Sequence, residues 1–405
     1  MHQLNLHRRR LLGAALASGT AALLPATSRA EADWSAIAAK ARGQKVFFNA
    51  WGGSERTNAY LQWAAAEVAR RHGIRLEHVR ITDTAEAVKR LRSERQAGRS
   101  AGSGSIDMVW INGENFLTLK KEGLLFGPFA ERLPNYRWVD TEGKPSTRLD
   151  FSEPVEGMEA PWGMAQFTFF ADRQRLSQPP RSMAALLELA RSQPGRITYP
   201  RPPNFHGTTF LKQALLEATP DRAVLYRPVS PAALERAAAP LWSYLDALQP
   251  HLWRRGRQHP QNAAAVRQMM ADGELLLALT FNPNEAANEI AARRLPATVY
   301  SWQHESGAVG NTHFLGIPAN ASAPEAAQVV IDFMLSPEAQ ARKADIEVWG
   351  DGTVLALERL PAAERQRFAS RGWPGQLERT APLLLEPHGS WVDPLEREWL
   401  RRYGP

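Results

Sequence analysis

Four short loops carry the residues of this 405-residue chain best suited to grip a small molecule. They are Trp51-Gly52-Gly53-Ser54, Asn112-Gly113-Glu114-Asn115, the stretch 201–209 and Asn282-Pro283-Asn284-Glu285, and each follows a segment that reads as a buried β-strand. In open α/β sheets the C-terminal ends of the strands form the edge where ligands bind. Trp51 offers a stacking surface. Gly52 and Gly53 either let the backbone approach a ligand, with free helix N–H groups beyond, or simply make a tight turn. Asn112 and Glu114 place polar groups at a strand end, and Glu114 reads equally well as a helix-capping acid. Phe205 is a stacking surface or a lid on the core. Thr208, like Thr209, is a ligand hydroxyl or a helix cap. Asn282 adds an amide. Trp162 and Gln166 lie on the apolar segment 160–171, where the chain leaves its first half. Trp349 sits in a Trp349-Gly350-Asp351-Gly352 turn that either closes over a cleft or is an ordinary surface turn. These eleven residues form the expected ligand-binding set.

Catalytic chemistry is not legible. There is no nucleophile elbow, no H-E-x-x-H pair, no P-loop and no dinucleotide fingerprint, so no catalytic residue is assigned and no cofactor is expected. His206, His304, His313 and His388 are scattered without ligand-like spacing and read as structural, so no metal site is expected. The absence of cysteine removes disulfides, thiolate metal sites and cysteine nucleophiles. Glu153, Glu156 and Glu159 crowd together before Trp162, either as an acidic wall for a cation or, the preferred reading, as a solvated loop. A binding protein accounts for this pattern best. The alternative is a secreted enzyme such as a glycan hydrolase, but no carboxylate pair stands out with the partners a raised pKa needs. A structural envelope protein would have no use for polar loops at its strand ends.

The elements that must position these loops follow a β/α rhythm. Strands are expected at 45–50, 74–81 and 106–111, with helices at 57–71, stopped by Gly73, and at 84–97, capped by the pair Asp83 and Glu86. Three strands each followed by a helix imply a parallel sheet covered on both faces. Further along, helices are expected at 182–192, from about Phe210, at 232–248, 324–335 and 337–344, with strands at 197–200, 275–281, 297–301 and 311–318.

The N-terminus reads as an export signal. Arg8-Arg9-Arg10 precedes an uncharged run of 14 residues, Leu11 to Leu24, too short to span a bilayer comfortably. Ser28 and Ala30 fit a cleavage site before Glu31, and the paired arginines with Leu11-Leu12 look like a twin-arginine signal. Residues 1–30 hold four arginines and no acid, so the remaining 375 residues carry 45 Lys and Arg against 42 Asp and Glu. That balance gives no reason to expect nucleic acid or an acidic membrane as partner. The mature chain is expected to be soluble, periplasmic and monomeric, and its length suggests two lobes.

Beyond these features, several strings resemble the periplasmic solute-binding proteins of ABC importers. They are FNAWGG (48–53), WINGENF (110–116), PWGMAQFTF (161–169), TYPRPPNF (198–205), LTFNP (279–283), IPANA (317–321), SPEAQARKA (336–344) and EPHGSWV (386–392). The match runs through nearly the whole mature chain and is nearest to the YnjB-type group, close to the thiamine, polyamine and ferric-iron binders. The resemblance implies an α/β, bilobal, type II periplasmic-binding-protein-like fold, with two α/β lobes around a central cleft. Lobe 1 would comprise 31–165 and 305–345, lobe 2 would comprise 166–304, and 346–405 would supply C-terminal helices packing across lobe 2. The implied partners are a small-molecule ligand and an inner-membrane ABC permease. Trp51, Trp162, Phe205 and Trp349 suggest stacking, and Glu114 with the acidic loop suggests a positively charged ligand, together fitting an organic cation held through cation–π contact. Thiamine or a related heterocycle comes first and a polyamine second. An oxyanion held at helix N-termini is the competitor. Ferric iron would need tyrosine pairs, for which only Tyr199 and Tyr300 are candidates.

Overall fold

The computed structural model describes residues 26–369 and 372–404, with side chains from Asp33 onward. The export signal up to residue 25 lies outside the described residues, and a helix, Ala26–Ala41, runs across the expected cleavage position. Eleven strands follow: β1 (Lys45–Trp51), β2 (Arg75–Ile81), β3 (Met108–Ile111), β4 (Leu149–Asp150), β5 (Glu153–Pro154), β6 (Glu159–Gln166), β7 (Thr168–Asp172), β8 (Leu277–Thr280), β9 (Val299–Trp302), β10 (Ala308–Gly316) and β11 (Leu383–Leu385).

Three sheets share these strands, one of them only the antiparallel pair β4-β5. Of the other two, the larger runs β11-β10-β3-β1-β2, with β6 also paired to β10, and the smaller runs β8-β7-β9. β1 is parallel to both β2 and β3, as the β/α rhythm implies, but β10 is antiparallel to β3 and to β6. The first sheet is therefore mixed rather than parallel. The reason is connectivity: β6 leaves the first sheet for β7, and β10 returns to it directly from β9 of the other sheet rather than through a helical crossover. In the smaller sheet β7 is antiparallel to both neighbours. The expected strand at 197–200 joins no ladder.

The chain passes between sheets where β6 gives way to β7, with only Phe167 between them, and again in residues 303–307 between β9 and β10. Two main cores lie on either side of these crossings. One gathers Phe48, Tyr60, Trp162, Leu315, Val330 and Trp349, and the other Phe169, Tyr199, Phe210, Leu241, Trp391 and Trp399. The C-terminal region divides between them. Val354, Leu355 and Leu360 join the first core, whereas Trp391, Leu395 and Trp399 join the second. The expectation that 346–405 packs across lobe 2 is thus corrected for its first part, because the apolar side chains after Trp349 are spent on the first core before the chain turns away.

Local sequence sets the helix ends that face the crossings. Ser54 caps Glu55–His72, and Gly73, at φ 66°, closes it in the left-handed conformation that glycine adopts without strain. Asp83 and Glu86 form a complete capping box on Thr84–Gln96. The helix expected from about Phe210 begins instead at Phe205 and is capped by Asn204, whose Oδ1 accepts from His206 N–H at 3.1 Å. Phe205, His206 and Thr208 therefore occupy a helical first turn rather than a loop. No helix among the described residues is long and apolar enough to cross a membrane.

Candidate functional site

Because β1 pairs with both β2 and β3, the loops after these strands lie side by side along one edge of the first sheet. The second half of the molecule meets that edge. Gly389 packs against the backbone of Glu114, and the Lys212 ammonium sits 4.2 Å from the centre of the Phe151 ring and 5.5 Å from that of Phe205. Lys212 is buried and paired with buried Glu386 at 2.7 Å.

Glu114 opens the helix Glu114–Lys121 and is solvent-exposed. Protein nonetheless crowds it, and the resulting desolvation raises its carboxyl above the ordinary value, with Asp83 and Glu386 adding repulsion. A group that meets water yet is surrounded by protein lies in a cleft. Glu396, on the C-terminal helix Val392–Tyr403, faces the same place. It accepts a hydrogen bond from Thr208 Oγ1 at 2.6 Å, and burial, with repulsion from Glu114 and Asp83, lifts it to about 7. Asp83, Glu114 and Glu396 thus converge from three helices on one acidic end, and Lys212 is already paired with a fourth carboxylate.

The wall behind Glu114 is also acidic. Gly113 N–H donates to both carboxyl oxygens of Asp150, at 2.8 and 2.7 Å. Burial raises Asp150 and Glu159 well above their ordinary values, and both Glu159 oxygens lack partners. The trio Glu153, Glu156 and Glu159 therefore divides: Lys120 pairs with the first two at 2.8 and 3.0 Å, while the third is fully buried. Neither a uniform acidic wall nor a uniform solvated loop describes them.

The other expected residues separate by environment. Trp51 is 40% exposed, the one large hydrophobic so exposed among the described residues. Its ring covers Gly53, where a Cβ would lie 2.4 Å from it, and a Cβ on Gly52 would meet Arg80 at 2.7 Å. Both glycines therefore make room for side chains. Asn112 is half-exposed beside Glu114, and Phe205 packs edge-on against Phe281 at 5.1 Å. Trp162 and Trp349 are buried, which corrects the expectation that they stack on a ligand. They belong to a cluster with Tyr60, Trp110 and His313. Trp110, which the sequence analysis did not single out, is half-exposed and packs edge-on against Trp162 at 4.9 Å. Gln166 is buried, and its amide donates to the carbonyls of Ala308 and Ala381, so it ties the crossing strand down. Asn282 joins Asn284 and Asn288 in an amide network.

Beneath the aromatic cluster His313, Asp351 and Lys343 form a buried triad, with Asp351 Oδ2 at 3.0 Å from His313 Nε2 and 2.5 Å from Lys343 Nζ. Burial alone would push Asp351 up, but His313 and Lys343 outweigh it and hold the carboxyl below its ordinary value. The remaining histidines also have local roles: His304 pairs with Glu217, His388 lies 3.4 Å from Glu153, and burial lowers His206 to about 4. Tyr199 accepts from Gln249 and Trp399, and Tyr300 donates to Leu176 O. Among the described residues no cluster of three or more His, Asp or Glu could hold a metal. The string Gly98-Arg99-Ser100-Ala101-Gly102 spells G-x-S-x-G, but it follows a helix on an exposed turn and is not an elbow.

The loops at the strand ends of the first sheet thus meet Lys212, Gly389 and Glu396 of the second half along one edge. Residues 62–357 match the family described as bacterial extracellular solute-binding protein. The chain belongs to this family. It is 50% identical to Protein YnjB of Escherichia coli (strain K12) over 372 residues, covering 92% of this chain and 94% of that one. Two solved structures share the fold. A putative spermidine/putrescine ABC transporter protein from Listeria monocytogenes aligns with a TM-score of 0.60 at 15% identity, over 89% of this chain and 98% of its own. The periplasmic binding protein AfuA from Actinobacillus pleuropneumoniae, with fructose-6-phosphate bound, aligns with a TM-score of 0.61 at 14% identity over the same shares. The fold is thus the type II periplasmic-binding-protein architecture, and members of the family bind solutes rather than transform them. The secreted-enzyme alternative falls with that finding.

Proposed function

We propose that this chain is the periplasmic solute-binding component of an ABC importer, that it is exported through its arginine-rich signal, and that it captures a small organic cation for a membrane permease. Thiamine or a related charged heterocycle is the preferred ligand and a polyamine the second. The observation that carries the charge assignment is the convergence of Asp83, Glu114 and Glu396 on one end of the cleft, with the neighbouring Lys212 ammonium already paired with Glu386. Repulsion from Asp83 reaches both Glu114 and Glu396, and an arriving cation relieves it. The exposed face of Trp51, with half-exposed Trp110 and Phe205, supplies aromatic surface for stacking or cation–π contact. One of the two structural neighbours is named for polyamines and the other holds a sugar phosphate, so fold likeness does not select between charges.

The test is a thermal-shift screen of the mature protein, followed by calorimetry of the best hit with Glu114→Gln. The amide keeps the size and loses the charge. A charge-assisted contact contributes about 1.5–3 kcal/mol, so a cation should bind roughly 10- to 100-fold more weakly. An oxyanion ligand, held at the helix N-termini, would bind Glu114→Gln as well as or better than wild type, and that result would overturn the cation assignment.

A further inference from the structure

Arg56 stands in the first turn of the helix Glu55–His72, where the helix dipole disfavours a cation. Its guanidinium is compensated by main-chain carbonyls from two distant parts of the chain. Nη1 donates to Ile346 O at 3.1 Å and Glu347 O at 2.8 Å, while Nη2 donates to Asn288 O at 2.7 Å. Ile346 and Glu347 follow a helix of the first lobe, and Asn288 lies in the helix Glu285–Ala291 of the second. Arg56 therefore spans the cleft.

Two further bonds cross beside it. Asn288 Nδ2 donates to Ile346 O at 2.6 Å, and Asn284 Nδ2 donates to Gly350 O at 2.7 Å. Asn282 steadies the set by donating to Asn288 Oδ1 at 3.1 Å. The seam is also close-fitting: a Cβ on Gly350, itself at φ 77°, would come within 2.9 Å of Asn288 Nδ2. Every bond that crosses the seam joins a side chain to a main-chain carbonyl, and none needs a bound molecule to complete it.

We infer that Arg56, Asn284 and Asn288 form a latch that holds the two lobes together before any ligand arrives, so that the closed form is a populated state of the free protein. A ligand then gains affinity because less closure remains to be driven, and release at the permease requires these bonds to break. Arg56 acts here as a positioning residue, since its guanidinium is engaged by carbonyls rather than directed at the acidic end. The inference rests on the two-lobed fold and not on the charge of the ligand.

The chain has no cysteine, so labels can be placed at will. Lys89→Cys and Arg236→Cys put spin labels on exposed helical positions of the two lobes. Double electron–electron resonance on the ligand-free protein should show mainly the short, closed separation. Arg56→Met keeps the aliphatic stem and should lower the closed-to-open ratio about 10-fold, the loss of one charge-assisted bond. Asn284→Ala, at a half-buried position, should shift the distribution the same way, and it reads the latch independently if Arg56→Met fails to fold. Separations unchanged in both variants, with melting curves intact, would show that the seam belongs to a rigid hinge and would overturn the latch. Because no ligand enters the experiment, that failure would leave the cation assignment standing.

Discussion

Gly163, in the crossing strand β6, sits directly against the buried triad, and Gly163→Ala is the most severe single-methyl change that the structure specifies. An added Cβ would lie 2.0 Å from His313 Nε2 and 2.1 Å from Asp351 Oδ2. Ordinary carbon contacts lie near 3.5 Å, so the pair must retreat by roughly 1.5 Å. Retreat breaks the 3.0 Å bond between His313 and Asp351 and strains the 2.5 Å bond from Lys343, an ammonium with no exposure to water. Overpacking costs about 1–3 kcal/mol and breaking a buried ion pair about 3–5 kcal/mol. Lys343 keeps its bond to Gly352 O at 2.8 Å, which softens the loss, so about 4 kcal/mol is expected in all. In a lobe-sized unit that lowers the melting temperature by about 10 °C, measurable by calorimetry at neutral pH. The effect should be pH-dependent with a definite sign. Asp351 is held below its ordinary value of 3.8, so its contribution is present above that value and lost as pH falls through the lower folded pKa. The gap between wild type and variant should therefore narrow in acid. Gly372→Ala, with nothing within 4 Å of its added Cβ, is the control and should stay within about 0.5 kcal/mol of wild type. A loss below about 1 kcal/mol for Gly163→Ala would refute the packing described for the triad.

Two other expectations follow from the site and the signal. Glu396 is raised from 4.5 to about 7 in the folded protein, so the free protein holds a proton there that the unfolded chain gives up. Its contribution to stability is present below about pH 4.5 and lost as pH rises through about 7. Glu396→Gln should flatten the decline of ligand-free stability between those limits, and calorimetry showing equal slopes for both proteins would count against the acidic convergence. A cation should likewise bind wild type more tightly as pH rises through that window, with proton release detectable by comparing buffers of different ionisation enthalpy. For export, mass spectrometry of the periplasmic fraction should find a chain beginning near Glu31, and replacing Arg8, Arg9 and Arg10 with lysine should block export if the twin-arginine route operates.

Much of the scaffold is written in local sequence. The alternation of apolar runs with capped helices marks β1 to β3 and their connections, because strand and helix periodicity and the Ser54, Asp83 and Gly73 caps act over a few residues. The run 160–171 was legible as apolar and β-rich, and its role as a passage between halves came from the family resemblance. Tertiary structure decided the rest. Which of thirteen tryptophans face water is a question of packing, and Trp110 and Trp162 carry identical chemistry in different surroundings. The antiparallel entry of β10, the division of the C-terminal region between two cores and the arrival of Glu396 beside Glu114, 282 residues away, depend on contacts remote in the chain. The charge of the cleft arises the same way. A single carboxylate at a strand end reads as a helix cap, and only its approach to Asp83 and Glu396, with Lys212 paired to Glu386, suits it to the cation proposed here, because electrostatic energy is set by distance in space and by the water excluded between the groups.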